Sequence, residues 1–204
     1  MEIGSTPEFL LEHEVLLETV ADLEKKIQPE FAKRQTYIDR HSGYTFYAPT
    51  YHLHRGLITI EDIASLRAGE QRLLEIGSGP GYLAQVLVDL GVPRGNIVCA
   101  DQDTSEIPAG FARYQFDYRQ PWPSMKEGPF DLILFPSSFP SLDQSSRTIG
   151  NILGSACLVL KMNGKIRADR YGGRHIQQLI ADNPALNITY DPLNYLLSAE
   201  QRTL

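Results

Sequence analysis

The sequence predicts a doubly wound α/β fold with a mostly parallel sheet, and two observations lead to this expectation. Short apolar runs alternate with amphipathic segments over most of the 204 residues. Such alternation is typical of strands joined by helices that cover both faces of a parallel sheet. The second observation is a glycine-rich turn at residues 77–81, where an apolar run changes directly into a helical pattern. A strand, a tight turn and a helix in this order are the repeating unit of such folds.

The first 55 residues are expected to form a helical N-terminal extension, and residues 56–204 the main domain. Residues 7–27 place leucine and valine side chains on or near one face of a long helix. We expect that face to pack on the protein itself, and a homodimer contact or a lid is the alternative. Residues 37–54 are rich in aromatic residues and histidine, which suits either a lid over a binding site or a structural strap.

Amphipathic patterns predict four helices in the main domain. They cover residues 57–66, 82–90, 145–160 and 175–181. Thr59 and Asp62 have the spacing of a capping box at the start of the first helix. In the last helix, Ile176, Leu179 and Ile180 are expected to face inward, because they recur at helical spacing.

Apolar runs predict the strands. They cover residues 73–76, 96–100, 114–118, 128–135, 165–170, 186–190 and 195–197. An Asn-Gly pair predicts a turn over residues 161–164, just before the fifth strand. Cys99 falls in a strand and Cys157 on a helix face, so we expect two buried free thiols rather than a disulfide or a metal site.

The spacing of the glycines narrows the kind of ligand that the turn accepts. Gly77, Gly79 and Gly81 stand at alternate positions, and Glu75 precedes them by two residues. Dinucleotide-binding turns usually follow G-x-G-x-x-G, but here the third glycine comes one residue early and Tyr82 takes its place. A phosphate-binding P-loop needs a lysine after its last glycine, and none follows. The turn still suits close contact between backbone and ligand at the carboxyl end of a strand.

This glycine motif, together with its acidic residue, resembles motif I of the class I S-adenosylmethionine-dependent methyltransferases. The resemblance covers roughly residues 56–204 and continues in chain order through Asp101, Asp117 and the Phe135-Pro136 pair. It implies a Rossmann-like sheet of seven strands and S-adenosyl-L-methionine as the cofactor. It also implies in-line methyl transfer, in which the enzyme mainly aligns the reactants.

The resemblance assigns cofactor contacts to the glycine loop and to the strand that follows it. The loop, which includes Ser78 and ends at Tyr82, would run under the methionyl part of the cofactor. Glu75 would help to organise the loop and the cofactor's amino group. Asp101, next to Gln102, would accept hydrogen bonds from both ribose hydroxyls.

Later strand ends supply the remaining cofactor contacts that the resemblance implies. Asp103, two residues after Asp101, is the alternative partner for the ribose hydroxyls. Asp117 would accept a hydrogen bond from the adenine amino group, with Tyr118 beside the ring. Phe135 and Pro136 would lie at the end of the fourth strand, facing the methyl group.

Composition limits the classes of partner. The net charge of −6 argues against a nucleic-acid substrate, since nucleic-acid binders present a basic surface. No apolar run reaches the ~20 residues of a membrane span. The N-terminus lacks a signal-peptide pattern, so we expect a cytoplasmic protein.

A small molecule is the expected methyl acceptor, because the predicted core is compact, the charge is acidic and the lid is aromatic. A protein methyltransferase, an aminopropyl transferase and a non-catalytic S-adenosylmethionine-binding protein are the alternatives. His52 and His54 are candidate bases near neutral pH, and Tyr51 could orient the acceptor. The histidines lack cysteine partners and metalloprotease spacing, and the fourth strand ends without carboxylates, so no metal is expected.

Overall fold

The computed structural model describes residues 37–38, 45–46, 52–53, 55–136, 138, 146–169, 176–194 and 196–201. The helices in these ranges are α1 (Ile60–Ala68), α2 (Tyr82–Asp89), α3 (Ser146–Val159) and α4 (Ile176–Asp182). The strands are β1 (Tyr37–Ile38), β2 (Thr45–Phe46), β3 (Leu73–Ile76), β4 (Ile97–Asp101), β5 (Ala112–Gln115), β6 (Phe130–Phe135), β7 (Leu160–Ala168), β8 (Leu186–Asp191) and β9 (Leu196–Gln201). The helix expected at residues 7–27 lies outside the described residues, and the domain boundary at residue 55 stays a prediction.

The main sheet has the expected seven strands, and their order is β5-β4-β3-β6-β7-β9-β8. Neighbouring strands are parallel from β5 to β7, whereas β9 runs antiparallel to both β7 and β8. The chain leaves β3 toward β4 and β5, and then returns to place β6 on the other side of β3. This topological switch point lies between β3 and β6, where open α/β sheets bind their ligands.

Two apolar cores cover the sheet, one on each face. Alternation along the strands separates them: Leu74 and Ile76 of β3 face one core, and Leu73 faces the other. Helices α3 and α4 pack into the first core, and α1 and α2 into the second. The predicted doubly wound arrangement is therefore confirmed.

Local signals predicted the helix starts. Thr59 caps α1, and its capping box with Asp62 is complete: Asp62 N–H donates to Thr59 Oγ1, and Thr59 N–H donates to Asp62 Oδ2. The helix itself begins at Ile60, three residues later than predicted, because the N-cap Thr59 has extended backbone and the helix starts only after its cap. Helix α2 buries its apolar face as expected.

Three expectations need correction. The third strand ends at Gln115, so residues 116–118 follow it. The expected turn at residues 161–164 lies inside β7: Phe130 pairs with Leu160 and Leu132 with Lys165, so the extra residues form an irregularity in which Asn163 has a left-handed φ of 64°. Ile180 is 39% exposed, because Leu179 points into the core and the next residue is rotated by ~100° around the helix.

Both cysteines are free thiols, as predicted. Cys99 is fully buried in β4, and this burial raises the pKa of its thiol. Cys157 is half-buried rather than buried. Among the described residues, every helix is too short or too polar to span a bilayer.

Candidate functional site

Candidate site residues, of which Asp169 was not predicted, follow the carboxyl ends of four parallel strands at one edge of the sheet. The glycine loop follows β3, Asp101 ends β4, Pro136 follows β6 and Asp169 follows β7. Register confirms that these ends lie side by side, because Ile76 pairs with Ala100 and Phe135 pairs with Ala168. The edge includes the switch point between β3 and β6.

The glycine loop is held by its own backbone and by β4. Gly77, Gly79 and Gly81 have positive φ angles of 70°, 50° and 71°, which glycine adopts without strain. Gly77 N–H and Ser78 N–H both donate to Ala100 O, at 2.7 and 3.2 Å. The loop therefore presents bare backbone beside the switch point.

Helix α2 starts directly from this loop. Gly81 is its N-cap and provides no side-chain hydrogen bond, and half-buried Tyr82 is its first residue. The first turn of a helix carries N–H groups and the positive end of the helix dipole. This end of α2 is therefore suited to an anionic group.

Glu75 lies inside the protein beneath the loop. Its carboxyl accepts a hydrogen bond from Ala84 N–H in the first turn of α2. Its Oε2 atom has no hydrogen-bond partner among the described residues, although the residue is only 1% exposed. Burial, with a smaller contribution from nearby Asp101, raises the pKa of Glu75 to about 8. The carboxyl is therefore mainly protonated at neutral pH.

Asp101 connects β4 to the glycine loop. Gly79 N–H donates to Asp101 Oδ2 at 2.8 Å, and Asp103 N–H donates to Oδ1 at 3.1 Å. The competing Asp103 is exposed and accepts from Ser105 N–H at 2.9 Å. Of the two carboxylates, only Asp101 contacts the loop, and exposed Gln102 lies between them.

The residues expected around adenine have protein partners of their own. Asp117 forms a bidentate ion pair with Arg119, with both N–O distances 2.8 Å. This arginine is the main cause that lowers the pKa of Asp117. Tyr118 donates its hydroxyl hydrogen to Ser138 O. Both side chains are therefore oriented by neighbours.

An aromatic cluster lies behind Tyr118 and was not predicted as a unit. The Tyr118 ring meets buried Phe135 edge-on, at a centroid distance of 6.0 Å. Trp122 stands 6.3 Å from Phe135 and 5.6 Å from Phe116, and its Nε1–H donates to Tyr118 O at 2.8 Å. Phe135 thus packs into a core, and half-buried Pro136 follows it at the edge.

Of the three catalytic candidates, the structure describes His52, and Tyr51 and His54 lie outside the described residues. His52 is 5% exposed, and its Nδ1 lies 2.6 Å from Oδ2 of fully buried Asp169. Sequence reasoning missed Asp169, although its place directly after a parallel strand is a signal that could have found it.

Within the described ranges, no three His, Cys, Asp or Glu side chains lie close enough to hold a metal ion.

No protein-family model and no curated protein sequence matches this chain. Solved structures with the same fold include methyltransferases. The sugar N-methyltransferase KedS8 from a Streptoalloteichus species has a TM-score of 0.54 and 10% identity, covering 70% of this chain and 85% of its own. DesVI from Streptomyces venezuelae has a TM-score of 0.50 and 13% identity, covering 68% of this chain and 87% of its own.

A third structure is MycE, a methyltransferase of the mycinamycin biosynthetic pathway solved in complex with Mg and SAH. Its TM-score is 0.50 at 12% identity, and the match covers 76% of this chain and 49% of MycE. At these identities the likeness concerns the fold. The chain has the class I methyltransferase fold, as its sequence motifs predicted.

Proposed function

We propose that this chain is a methyltransferase that uses S-adenosyl-L-methionine, acts on a small molecule and needs no metal ion. The observation that carries the proposal is the contact between Asp101, at the end of β4, and Gly79, in the loop beside the switch point. It joins a bare glycine loop to a carboxylate at the end of the next strand, which is the arrangement that a ribose and its neighbouring groups require. The fold supports the reaction class, and the name of KedS8 supports a small-molecule acceptor.

The residues present fit this cofactor. A carboxylate has about four acceptor positions, and Asp101 uses two for backbone N–H groups, so it keeps capacity for two ribose hydroxyls. The first turn of α2, without a side chain at Gly81, suits the cofactor's carboxylate. Oε2 of Glu75, which lies beneath the loop, has no hydrogen-bond partner among the described residues.

The chain's own residues would orient the reactants and exclude water. When bound, S-adenosyl-L-methionine supplies a methyl group that is already electrophilic, so alignment is the main requirement. Tyr118, which packs edge-on against buried Phe135, supplies partly buried apolar surface after β5. Such surface removes water from the path of an attacking atom. The three glycines let the loop adopt its left-handed turns without side chains beside the methionyl part.

Calorimetry with S-adenosylhomocysteine tests the proposal. We expect micromolar or tighter binding by the intact chain, and a loss of about 1–3 kcal/mol in Asp101→Ala, the scale of a lost charged hydrogen bond. Asp103→Ala is the matched control, because it removes an exposed carboxylate two residues away that does not contact the loop. It should bind as the unaltered chain does.

Two results would overturn the proposal. The first is an intact protein that binds neither S-adenosylmethionine nor S-adenosylhomocysteine. The second is binding without methyl transfer to any member of a broad small-molecule panel, which would favour the non-catalytic alternative. Equal affinities in the two aspartate variants would reject Asp101 as the ribose partner while leaving the cofactor in place.

A further inference from the structure

Asp117 is occupied by donors from its own turn and from the neighbouring strand end. Arg119 N–H and Nε–H both donate to Oδ1, at 3.0 and 2.8 Å, and an Nη2 hydrogen of Arg119 reaches Oδ2 at 2.8 Å. The side-chain amide of Gln102, just after β4, also donates to this carboxylate. A carboxylate has about four acceptor positions, so these donors use the full capacity of Asp117.

The turn after β5 explains why an aspartate stands at this position. Gln120 N–H donates to Asp117 O at 2.9 Å and closes a turn, and aspartate at the start of a turn typically accepts from the N–H two residues on, as Asp117 does from Arg119. The pKa of Asp117 is lowered, mainly by Arg119, so its side chain is an anion at neutral pH and only accepts hydrogen bonds. Asp117 therefore holds the guanidinium group in place beside the strand end.

This turn lies beside the ribose candidate, on the side away from the glycine loop. Asp101 pairs with Gln115 at the end of β5, and Phe116 N–H donates to Asp101 O at 3.0 Å. In the order β5-β4-β3, the glycine loop follows β3 and Asp101 ends β4. A cofactor with its methionyl part at the loop and its ribose at Asp101 directs its base toward the end of β5, where the Asp117–Arg119 pair lies.

We propose that Arg119 is a specificity-determining residue that limits how this chain reads the base of its cofactor. By occupying Asp117, the guanidinium group withholds a carboxylate that would otherwise accept a hydrogen bond from the 6-amino group of adenine. Asp117 therefore adds nothing to the discrimination between 6-aminopurine and 6-oxopurine nucleosides. This inference rests on the proposed function, and it deepens that function by stating which residue sets the choice of base.

An unoccupied Asp117 would discriminate between the two bases for a simple reason. The 6-amino group of adenine donates a hydrogen bond, whereas the 6-oxygen of hypoxanthine accepts one. A carboxylate also only accepts, so it stabilises adenine and repels the oxygen of hypoxanthine. A hydrogen bond to a charged group is worth about tenfold or more in affinity, and a site that reads a polar group rejects the analogue lacking it.

Calorimetry with S-adenosylhomocysteine and S-inosylhomocysteine tests the inference, because the two compounds carry adenine and hypoxanthine on the same scaffold. The selectivity is the Kd of the inosyl compound divided by the Kd of the adenosyl compound. Arg119→Met removes both guanidinium bonds to Asp117, so its selectivity should rise about tenfold or more above that of the intact chain. Asp117→Ala should stay within about threefold of the intact chain, and the double variant with both substitutions should lack the gain.

Lys126→Met is the matched control for the loss of a positive charge. Its ammonium group is 87% exposed and lies near Glu127, so this variant should have the selectivity of the intact chain. The side chain of Arg119 is itself 45% exposed, and its substitution therefore leaves the two apolar cores intact.

The outcomes separate this inference from the proposed function. Unchanged selectivity in Arg119→Met overturns the inference, and so does a gain that persists in the double variant. A loss of selectivity beyond about threefold in Asp117→Ala also overturns it, because Asp117 would then already read the base in the intact chain. If the intact chain binds neither compound, the proposed function itself fails.

Discussion

Ser138 occupies the space that a side chain on Gly77 would need. A Cβ atom built on Gly77 would overlap the Cβ of Ser138 far inside van der Waals contact. Ser138 is held there from two sides, because its Oγ–H donates to Ile76 O at 2.6 Å and its carbonyl accepts from the Tyr118 hydroxyl. Ser138 therefore lies directly on the first glycine of the turn.

Gly77→Ala is expected to destabilise the fold and weaken S-adenosylhomocysteine binding. The left-handed φ costs about 1–2 kcal/mol for alanine, and the overlap with Ser138 adds about 1–3 kcal/mol. Thermal denaturation and calorimetry measure the two effects. Gly95→Ala is the control, since nothing lies within 4 Å of its added Cβ. Equal melting temperatures for the two variants would contradict the close approach of Ser138 to Gly77.

Glu75→Gln is expected to change how stability depends on pH. The pKa of Glu75 rises from 4.5 to about 8 on folding, so the folded state keeps a proton that the unfolded state releases between these values. The stabilisation from this proton is complete below pH 4.5 and is lost as pH rises toward 8, by up to about 1.4 kcal/mol per unit. Glutamine does not titrate, so the variant should gain stability relative to the parent across this window.

Denaturant unfolding of both proteins at several pH values measures the difference. The comparison isolates Glu75, because every other titrating group is common to the two chains. Stability curves that run parallel from pH 5 to 8 would show that the buried carboxyl is not protonated in the folded state.

Asp62→Asn is expected to lower the free energy of unfolding several times more than the same substitution at an exposed aspartate. Asp62 is 6% exposed and accepts from Thr59 N–H, from the Thr59 hydroxyl and from Arg167. Loss of one partner of a buried ion pair typically costs about 3–5 kcal/mol, because the other charge is left uncompensated. Asp182→Asn, which alters an exposed carboxylate bound to Gln178 in α4, should cost under about 0.5 kcal/mol. Comparable losses in chemical denaturation would refute the role of this pair in fastening α1 to β7.

Cys99 is expected to be inert in the folded protein. Burial is the main cause that raises the pKa of its thiol, and neighbouring Glu75 raises it further, so little thiolate forms. A Cys157→Ser variant leaves Cys99 as the single thiol of the chain. It should react with a disulfide reagent only after denaturant is added. Rapid labelling of the native variant would show that β4 opens or that the thiol is accessible.

Much of the fold follows from interactions between residues that are close in sequence. The capping box of Thr59 and Asp62 spans three residues, and it marked the start of α1. The glycine turn was recognised because it reflects backbone conformation within one loop. The error at Asn163 has the opposite origin. Asn163 of the Asn-Gly pair does have a left-handed φ. However, β7 pairs with β6 both before and after this residue, so the irregularity lies inside a strand and does not form a turn between elements.

The sequence by itself determined the order of strands and helices, the glycine turn and the carboxylates at strand ends. These features depend on the spacing of apolar residues, on helix capping and on turn-forming residues, all of which act over a few positions. Only the tertiary structure decided which of these groups meet. The pairing of His52 with Asp169, the contact of Ser138 with Gly77 and the hydrogen bond from Gly79 to Asp101 depend on neighbouring strand ends. Those neighbours are set by burial of two apolar faces across the whole sheet, which no local pattern specifies.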